Sequence, residues 1–464
     1  MNDILNYCRK IYIIKVTKNT ICCMKGYYME FKRDKYLNDI ISKKNNSMIK
    51  VITGLRRCGK SYLLFNMYYK YLISIGINDK NIIRFAFDVD DDIDKLDKYF
   101  PEEETKIYDK KTRSFKVNSK KFRAYISDLT NEIDEFYLLL DEIQNLDNFV
   151  GTLNGFIKKN NFDTYVTGSN SRLLSTDIIT EFRGRGDQIK IYPLSFREFY
   201  NSMNLSFSDA YKTYAYFGGM PLVYRFKTDE QKARYLKNLF EEVYTKDIVE
   251  RNGIEDLDSF DRLIDSISSV IGSYTNPTNL ENTFKSRMKI TYNHITIANH
   301  LKYLIDSFLI YEVSRYDIKG KKYLGAQYKY YFSDIGLRNA RLNFRQQEQT
   351  HIMENIIYNE LLYRGYNVDI GIVETNEKNK NGNNVKKQLE VDFIVNNSDE
   401  RYYIQSAYSM STDIKEQQEQ KSLININDSF KKIIIVNDNI KSYMTDEGIR
   451  IISLEDFLFD NIKI

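Results

Sequence analysis

The segment GLRRCGKS, residues 54–61, has the residue types and the spacing of a phosphate-binding loop. Gly54, Gly59, Lys60 and Ser61 match the fixed positions of the pattern G-x-x-x-x-G-K-[ST]. Glycines let successive backbone N–H groups curl around an anion, the lysine reaches the outer phosphates of a nucleotide, and the hydroxyl holds Mg²⁺. The pattern therefore predicts ATP and Mg²⁺ as ligands, and the alternative is a basic surface turn. The predicted nucleotide-binding set is Gly54, Arg57, Cys58, Gly59, Lys60 and Ser61.

The elements that flank this loop favour phosphate binding. Residues 48–53 form an apolar run typical of a short buried strand, and Ser61 begins a segment with apolar residues at helical spacing. The loop would then lead into a helix N-terminus, whose free N–H groups and dipole favour a phosphate. Cys58 lies near Lys60 and near that N-terminus, an environment that favours the thiolate. We therefore expect alkylation of Cys58 to block nucleotide binding, and bound ATP to protect the thiol.

A pair of acids follows a second apolar strand, FYLLLDE at residues 136–142. Ligands of open α/β sheets bind outside the carboxyl ends of the strands, which is where Asp141 and Glu142 would lie. Asp141 is suited to hold Mg²⁺, and Glu142 to orient the water that attacks the γ-phosphate. The alternative is a solvated or helix-capping acid pair after a core strand.

Two further polar groups are candidates for the same chemistry. The strand-like run DTYVTGSN ends at Asn170, whose side chain could contact the γ-phosphate and the attacking water, although Asn is also a favoured helix cap. Arg183 or Arg185, in the basic turn that follows, could act as an arginine finger for a neighbouring subunit or domain, but surface arginines are common. Asn170 and Arg185 therefore join Glu142 as predicted catalytic residues.

Composition limits what the whole chain can be. Its 464 residues are long enough for several domains, and 42% hydrophobic with 28% charged residues is typical of a soluble globular protein. The net charge of +4 gives no chain-wide electrostatic signature for nucleic acid, and the cysteines and histidines show no metal-ligand spacing. A reducing cytoplasm fits this composition. Residues 1–28 are an uncertain extension, because the sequence from Met29 looks like an ordinary beginning.

The segment 281–345 has the pattern of a winged helix, a helix followed by two strands and a tight turn. Between residues 285 and 330 it carries nine Lys and Arg against three acids, a local net charge of +6. Lys319, Lys321 and Lys322 would lie on the wing and contact the phosphates of double-stranded DNA. Winged helices also contact proteins, so this alternative stays open.

The C-terminal segment resembles an incomplete metal-dependent nuclease. Glu354 on a helix and Asp392 on a strand could hold Mg²⁺, but the following [DE]-x-K position reads Gln405, Ser406, Ala407, so the second carboxylate and the lysine are missing. The fold is expected without cleavage, and Glu354, Glu390 and Asp392 are then remnant or structural acids. Nuclease activity stays open if another residue supplies a lysine.

Taken together, GLRRCGKS, LLLDEIQNL, TGSNSRLLS, GRGDQIKIYPLSFREFY and FGGMPLVY resemble a bacterial and archaeal family of AAA-type ATP-binding proteins. The resemblance implies an α/β fold: a P-loop (AAA-type) ATPase core with a helical lid, a winged-helix region and a C-terminal restriction-endonuclease-like α/β domain. The expected boundaries are 29–195 for the core, 196–280 for the lid, 281–345 for the winged helix and 346–464 for the last domain.

The predicted function is an ATPase that uses ATP to rearrange its lid and C-terminal modules, acting on DNA. The alternatives are a nucleotide-gated switch or scaffold that contacts protein partners and an ATP-regulated nuclease. The recurring stretch TKDIVER, residues 245–251, has no mechanism that the sequence suggests; packing and helix-face salt bridges are its simplest interpretation.

Overall fold

A parallel sheet occupies the amino-terminal half of the chain. The computed structural model describes residues 30–110, 114–159, 161–168, 182, 184–378, 384–397 and 400–461. The sheet order is β2-β5-β6-β1-β7, and all neighbours in it are parallel. Its strands are β1 Ile49–Gly54, β2 Ile82–Ala86, β5 Phe136–Asp141, β6 Phe162–Gly168 and β7 Gly186–Ile191. The short strands β3 Lys106–Asp109 and β4 Ser114–Val117 form a separate hairpin.

Burial explains why these segments become central strands. Every residue of β1 and of β5 is buried, as expected for parallel strands covered on both faces. The helices of this half are α1 Asp34–Ser42, α2 from Lys60 to Ser74 with a π-helical middle at Leu63–Tyr68, α3 Asp90–Ile93, α4 Ser119–Leu129 and α5 Phe149–Ile157. Since α2 starts where the loop after β1 ends, the predicted strand, loop and helix are all present.

Helices follow the parallel sheet along the chain, and the first strands of a second sheet lie among them. The helices are α6 Phe196–Tyr200, α7 Phe207–Phe217, α8 from Asp229 to Asn252 with a π-helical middle at Leu239–Thr245, α9 Leu257–Ser269, α10 Pro277–Thr283, α11 His294–Asp306 and α12 Ile335–Arg341. Gly218 follows α7 with φ 73°, and a Cβ there would collide with the carboxylate of Asp334. The Gly219 N–H donates to that carboxylate at 2.6 Å. The FGGMP motif therefore allows a close backbone crossing against the start of α12.

A nine-stranded sheet spans the carboxyl-terminal half, in the order β15-β16-β14-β13-β12-β11-β9-β10-β8. Its strands are β8 Tyr274–Thr275, β9 Ile310–Asp317, β10 Lys322–Phe332, β11 Asn367–Lys378, β12 Asn384–Asn397, β13 Glu400–Ala407, β14 Lys431–Val436, β15 Tyr443–Met444 and β16 Ile449–Ser453. The associated helices are α13 Gln349–Arg364, α14 Asp413–Ile424 and α15 Leu454–Leu458.

The two strands of the expected wing belong to this sheet. β9 and β10 form an antiparallel hairpin, and β9 also pairs in parallel with β11. The expected boundary between residues 345 and 346 therefore separates segments that share one sheet. From Phe31 onward the chain forms a single compact unit, and the boundaries within it stay predictions. Among the described helices, none has the length and apolar character needed to cross a bilayer.

Candidate functional site

The phosphate-binding loop lies at the carboxyl edge of the parallel sheet. Gly54 has φ 147°, and a Cβ there would collide with the carbonyl oxygen of Ile191 in the neighbouring strand β7, so only glycine fits. Gly59 has φ 105° with open space above it, where a ligand can approach the backbone. The Lys60 ammonium donates to the carbonyl oxygens of Gly54 and Leu55 at 3.0 Å each. The lysine thus lies inside its own loop, where a phosphate would offer it a charged acceptor.

Asp141 comes to this edge from β5 and lies next to Ser61. Its carboxylate accepts hydrogen bonds from the hydroxyls of Thr167 and Ser61. Burial raises the pKa of Asp141 to about 6, the two hydroxyls act in the opposite direction, and the charges of Glu142 and Asp88 add to the increase. A hydroxyl and a carboxylate beside a phosphate cradle are the oxygen ligands that Mg²⁺ takes in such sites, so Ser61 and Asp141 fit this cation.

Binding of ATP with Mg²⁺ is expected to weaken as the pH falls through about 6, because the cation requires the charged form of Asp141 and the pKa of that carboxyl is about 6. A raised pKa means that the folded chain binds a proton below this pH, which Mg²⁺ must displace. Calorimetric titration in buffers of different ionisation enthalpy should therefore detect proton release near pH 6 and none near pH 8. Asp141→Asn should abolish this release, and a wild-type chain that releases no proton near pH 6 contradicts the assignment.

Glu142 is held in an unusual conformation next to Asp141. Its φ of 50° is left-handed, a strained state that clusters at functional sites for non-glycine residues. Its backbone N–H donates to the Thr167 hydroxyl at 3.1 Å, and its carboxylate accepts from the Gln144 side chain. Thr167 therefore links the two acids, a contact that the sequence alone did not reveal.

Asp88 is a third acid at this edge, and the sequence analysis missed it. It follows β2, which pairs in parallel with β5 so that Ala86 lies beside Asp141. Burial and then the charge of Glu142 raise the pKa of Asp88. The sequence does show an acid two residues after an apolar strand. The position of Asp88 next to Glu142, however, depends on the order of the strands in the sheet.

The TKDIVER segment covers the phosphate-binding loop. The Tyr244 hydroxyl, one residue before this segment, donates to the Arg56 carbonyl at 2.7 Å. Asp247 forms ion pairs with Arg56 at 3.3 Å and with Arg251 at 2.5 Å. Tyr235, earlier on the same helix, lies close to Arg57. Helix α8 therefore lies against the two loop arginines, so a displacement of the loop would change the contacts of this helix.

Four predicted residues, Cys58, Asn170, Arg183 and Arg185, do not contribute to the site in the described part of this chain. The Cys58 side chain is fully buried, with its sulfur 3.8 Å from the Ile191 carbonyl oxygen, so the expected accessible thiol is wrong for this conformation. Arg185 is exposed at the amino end of β7, where its carbonyl accepts from Ile49, about five strand residues or roughly 17 Å from the loop. It cannot act on the nucleotide of its own chain, and a role toward a neighbouring subunit stays a prediction. Asn170 and Arg183 lie outside the described residues.

A second cluster of acids lies where helix α13 packs on strand β12 of the nine-stranded sheet. Oxygen atoms of Glu354, Glu390 and Asp392 lie within 4.8 Å of one another. The ammonium of Lys329, from β10, lies 2.8 Å from Glu354 and 2.5 Å from Glu390, and this side chain is 3% exposed. The Tyr331 hydroxyl also donates to Glu354, at 2.5 Å. The lysine that the sequence lacked at residue 407 is thus supplied by another strand.

The charges of this cluster depend on each other. Burial acts to lower the pKa of Lys329, but Glu354 and Glu390 raise it above the ordinary value. Burial acts to raise the pKa of Glu354, but Lys329 lowers it below the ordinary value. Burial and the charge of Glu354 raise the pKa of Asp392 well above its usual range. The cluster therefore favours a charged Lys329–Glu354 pair beside a neutral Asp392.

Gln405 and Ala407 do not face this cluster. Ala407 packs in the core with Val391 and with Leu423 of α14. The side-chain oxygen Oε1 of Gln405 accepts from the Asp392 backbone N–H at 3.4 Å and from the Ser422 hydroxyl at 3.5 Å. Because side chains alternate along a strand, Ser406 points to the other face. Its backbone N–H donates to the Asp392 carboxylate at 2.8 Å. The expectation that residues 405 and 407 occupy the metal-ligand and lysine positions is therefore wrong.

The predicted DNA-contacting lysines lie at the β9–β10 turn and are exposed. Lys319 donates to the Glu374 carbonyl oxygen at 2.8 Å, which ties the turn to β11. A groove beside the turn runs between α11 and β10 and is lined by residues that include His294, Lys302 and Tyr328. Lys329, which contributed to the local +6, is buried and adds nothing to this surface.

The chain is similar to several known proteins. A family model described as an AAA domain matches residues 46–200, and one described as a domain of unknown function matches residues 208–348. An uncharacterized protein of Methanocaldococcus jannaschii is 28% identical over 445 residues, which cover 92% of this chain and 89% of that one. The solved Walker-type ATPase of Pyrococcus abyssi is 12% identical with a TM-score of 0.45, over 68% of this chain and 96% of that one.

An uncharacterized protein of Haemophilus influenzae is 32% identical over 437 residues, which cover 92% of this chain and 98% of that one. The identity extends over both sheets and the helices between them. The chain therefore belongs to the same family as this Haemophilus influenzae protein, and its amino-terminal part is an AAA-type nucleotide-binding domain.

Proposed function

We propose that this chain hydrolyses ATP and uses the reaction to move helix α8 relative to the phosphate-binding loop. The observation that carries this proposal is the contact of Asp141 with Ser61 beside Lys60, with Glu142 next to it. Lys60 would exchange its backbone acceptors for phosphate oxygens, and Ser61 with Asp141 would hold Mg²⁺. The bound cation would neutralise charge on the outer phosphates. Glu142 would orient the attacking water, and Thr167 would hold both acids in position.

The contacts of α8 support a coupling role. Arg56 and Arg57 belong to the loop. Asp247 of the helix forms an ion pair with Arg56, and Tyr235 of the helix lies close to Arg57. A triphosphate adds negative charge next to both arginines, so it competes with Asp247 for Arg56. ATP binding would therefore loosen one of these contacts, and phosphate release would restore it.

The same contacts also suit a nucleotide-gated switch that hydrolyses slowly and contacts a protein partner. Binding alone would then displace Asp247 from Arg56. The two functions differ in turnover, because a switch of this kind binds ATP with little phosphate release. The rate of ATP hydrolysis by the purified chain, with and without DNA, separates them.

Double-stranded DNA is the proposed partner of the β9–β10 turn, through contacts to the phosphates without base recognition. Changing Lys319, Lys321 and Lys322 together to glutamate is expected to remove most DNA binding, since exposed ammonium groups at the turn neutralise phosphates. Wild-type affinity should fall with salt by a log–log slope of about −0.9 for each phosphate neutralised. Fluorescence anisotropy of a labelled duplex measures both effects.

A matched control changes Lys415, Lys431 and Lys441 to glutamate, three exposed lysines on α14, on β14 and after β14 that do not belong to the β9–β10 turn. This variant has the same net charge, so it should keep most of the affinity. Basal ATP hydrolysis should be unchanged in both variants. Equal DNA affinity of the two triple variants contradicts the proposed surface.

The carboxyl-terminal half is proposed to bind DNA without cleaving it. Lys329 already compensates Glu354 and Glu390, and Gln405 and Ala407 face α14 instead of the acids. An ATP-regulated nuclease is the second candidate, because Lys329 brings a lysine to three carboxylates. Nicking of supercoiled DNA with Mg²⁺ or Mn²⁺ that disappears in Asp392→Ala would establish the nuclease instead.

A further inference from the structure

A cavity of about 620 Å³ lies between helix α7 and the carboxyl ends of strands β13, β14 and β16. We call it the α7 cavity; Tyr408, Asn437 and Ser453 line it at these three strand ends. The three strands are parallel neighbours, and the crevice outside the carboxyl ends of parallel strands is where α/β sheets bind ligands. Its volume is in the range of small-molecule sites. It lies in a different sheet from the phosphate-binding loop.

Aromatic rings form one wall of the α7 cavity. Phe207 and Tyr211 are stacked, with ring centroids 6.2 Å apart and planes 13° from parallel. Tyr216 and Tyr408 also line the cavity. Tyr216 is already stacked on Phe344, with ring centroids 4.8 Å apart, whereas Tyr408 is 37% exposed and offers a ring surface on which a flat ligand such as a nucleobase can stack.

Two buried donors at the cavity have no partner in the described part of the chain. The Tyr211 hydroxyl is one of them, and this residue is only 6% exposed. The side-chain nitrogen of Gln347 is the other. A buried polar group without a hydrogen bond costs free energy, so both groups favour a ligand that brings acceptors. A purine ring has acceptor nitrogens at its edge and a face that stacks.

The charges at the cavity limit the ligand further. Lys212 is the one cation among the lining residues, and it is exposed. Asp438 is already engaged, since its carboxylate accepts from the N–H of Met410 at 2.9 Å, and Glu455 is exposed. One ammonium can balance a single phosphate but not a triphosphate. We infer that the α7 cavity binds a purine nucleoside or its monophosphate.

The probe is 2-aminopurine riboside, a purine nucleoside whose fluorescence is quenched by stacking. The chain contains no tryptophan, so the probe can be excited without interference. The experiment uses the full chain with Lys60→Ala, so that nucleotide binding at the phosphate-binding loop does not contribute to the fluorescence signal. We expect saturable quenching that AMP reverses by competition. Absence of quenching at millimolar protein or probe overturns the proposal.

Variants locate the binding. Tyr211→Phe removes only the unpartnered hydroxyl, so the chain should fold and the affinity should fall by about 3- to 10-fold. Tyr200→Phe, on the preceding helix and outside the cavity lining, is the matched control and should bind like the parent. Lys212→Ala should weaken competition by AMP but not by adenosine. Unchanged affinity in both Tyr211→Phe and a Tyr211→Phe/Gln347→Leu double variant places the probe elsewhere and overturns the assignment.

Discussion

Replacing Glu142 with glutamine is expected to lower ATP turnover by at least about 100-fold while ATP still binds. Glutamine keeps the size of the side chain and its contact with Gln144 but cannot accept a proton from the attacking water. In the proposed site the phosphates would contact Lys60 and the loop backbone, which this change leaves intact, so binding should be preserved. Equilibrium binding of a fluorescent ATP analogue and phosphate release measure the two effects separately.

Lys60→Ala is the complementary variant, and it should lose nucleotide binding itself, because the ammonium interacts with phosphate in the ground state. The contrast between the two variants assigns binding to Lys60 and the chemical step to Glu142. Parental turnover in Glu142→Gln would show that Glu142 is not the residue that orients water. Asp88, which lies close enough to influence Glu142, would then be the next carboxylate to change.

Replacing Lys329 with methionine is expected to destabilise the fold by about 3–5 kcal/mol, because it leaves the buried Glu354 and the partly exposed Glu390 without the cation that compensates their charge. Methionine retains the length of the chain, so the loss of charge dominates. Urea unfolding of the full chain measures the free-energy difference. Lys322→Met, an exposed lysine on the same strand, is the control and should stay within about 0.5 kcal/mol of the parent.

The stability that Lys329→Met loses is expected to depend on pH and to be smaller at low pH. Lys329 holds the pKa of Glu354 below its ordinary value of 4.5, although burial acts the other way. The stability from this pair is therefore present above that value and is lost as the pH falls through the lowered pKa. The difference in the free energy of unfolding between the parent and Lys329→Met should therefore become smaller as the pH is lowered. Adding Glu354→Gln to Lys329→Met should recover part of the loss, and equal stability of Lys329→Met and the parent at pH 7 contradicts a buried charged pair.

The sequence was sufficient to predict that Asp141 lies near the Gly54–Ser61 loop, because the relevant signals are local. Glycine spacing, an apolar strand before the loop and a helix after it lie within residues 48–74, and Asp141 follows its own buried strand. Parallel strands place their carboxyl ends at one edge, so Asp141 could be expected near Ser61 without knowing the strand order. Asp88 needed that order, since only the pairing of β2 with β5 brings it to Glu142.

The second cluster could not be predicted because it depends on long-range pairing. Lys329 lies on β10, which is separated from β12 in the sheet by β9 and β11. Whether Ser406 or its neighbours face the acid cluster depends on which side of the sheet each side chain occupies. The β11–β12 ladder has a register irregularity between Asp369 and Gly371. An extra residue in one strand reverses which side chains share a face. A tripeptide pattern carries no information about such a shift.

Phosphate release from ATP by the purified full-length chain, compared with the Lys60→Ala variant in the presence of Mg²⁺, tests the central claim most directly. We expect repeated turnover by the parent, no release without Mg²⁺, and none from the variant. A parent chain that binds ATP and releases no phosphate, or release that is the same in both chains, would contradict hydrolysis at the site formed by Lys60, Ser61, Asp141 and Glu142.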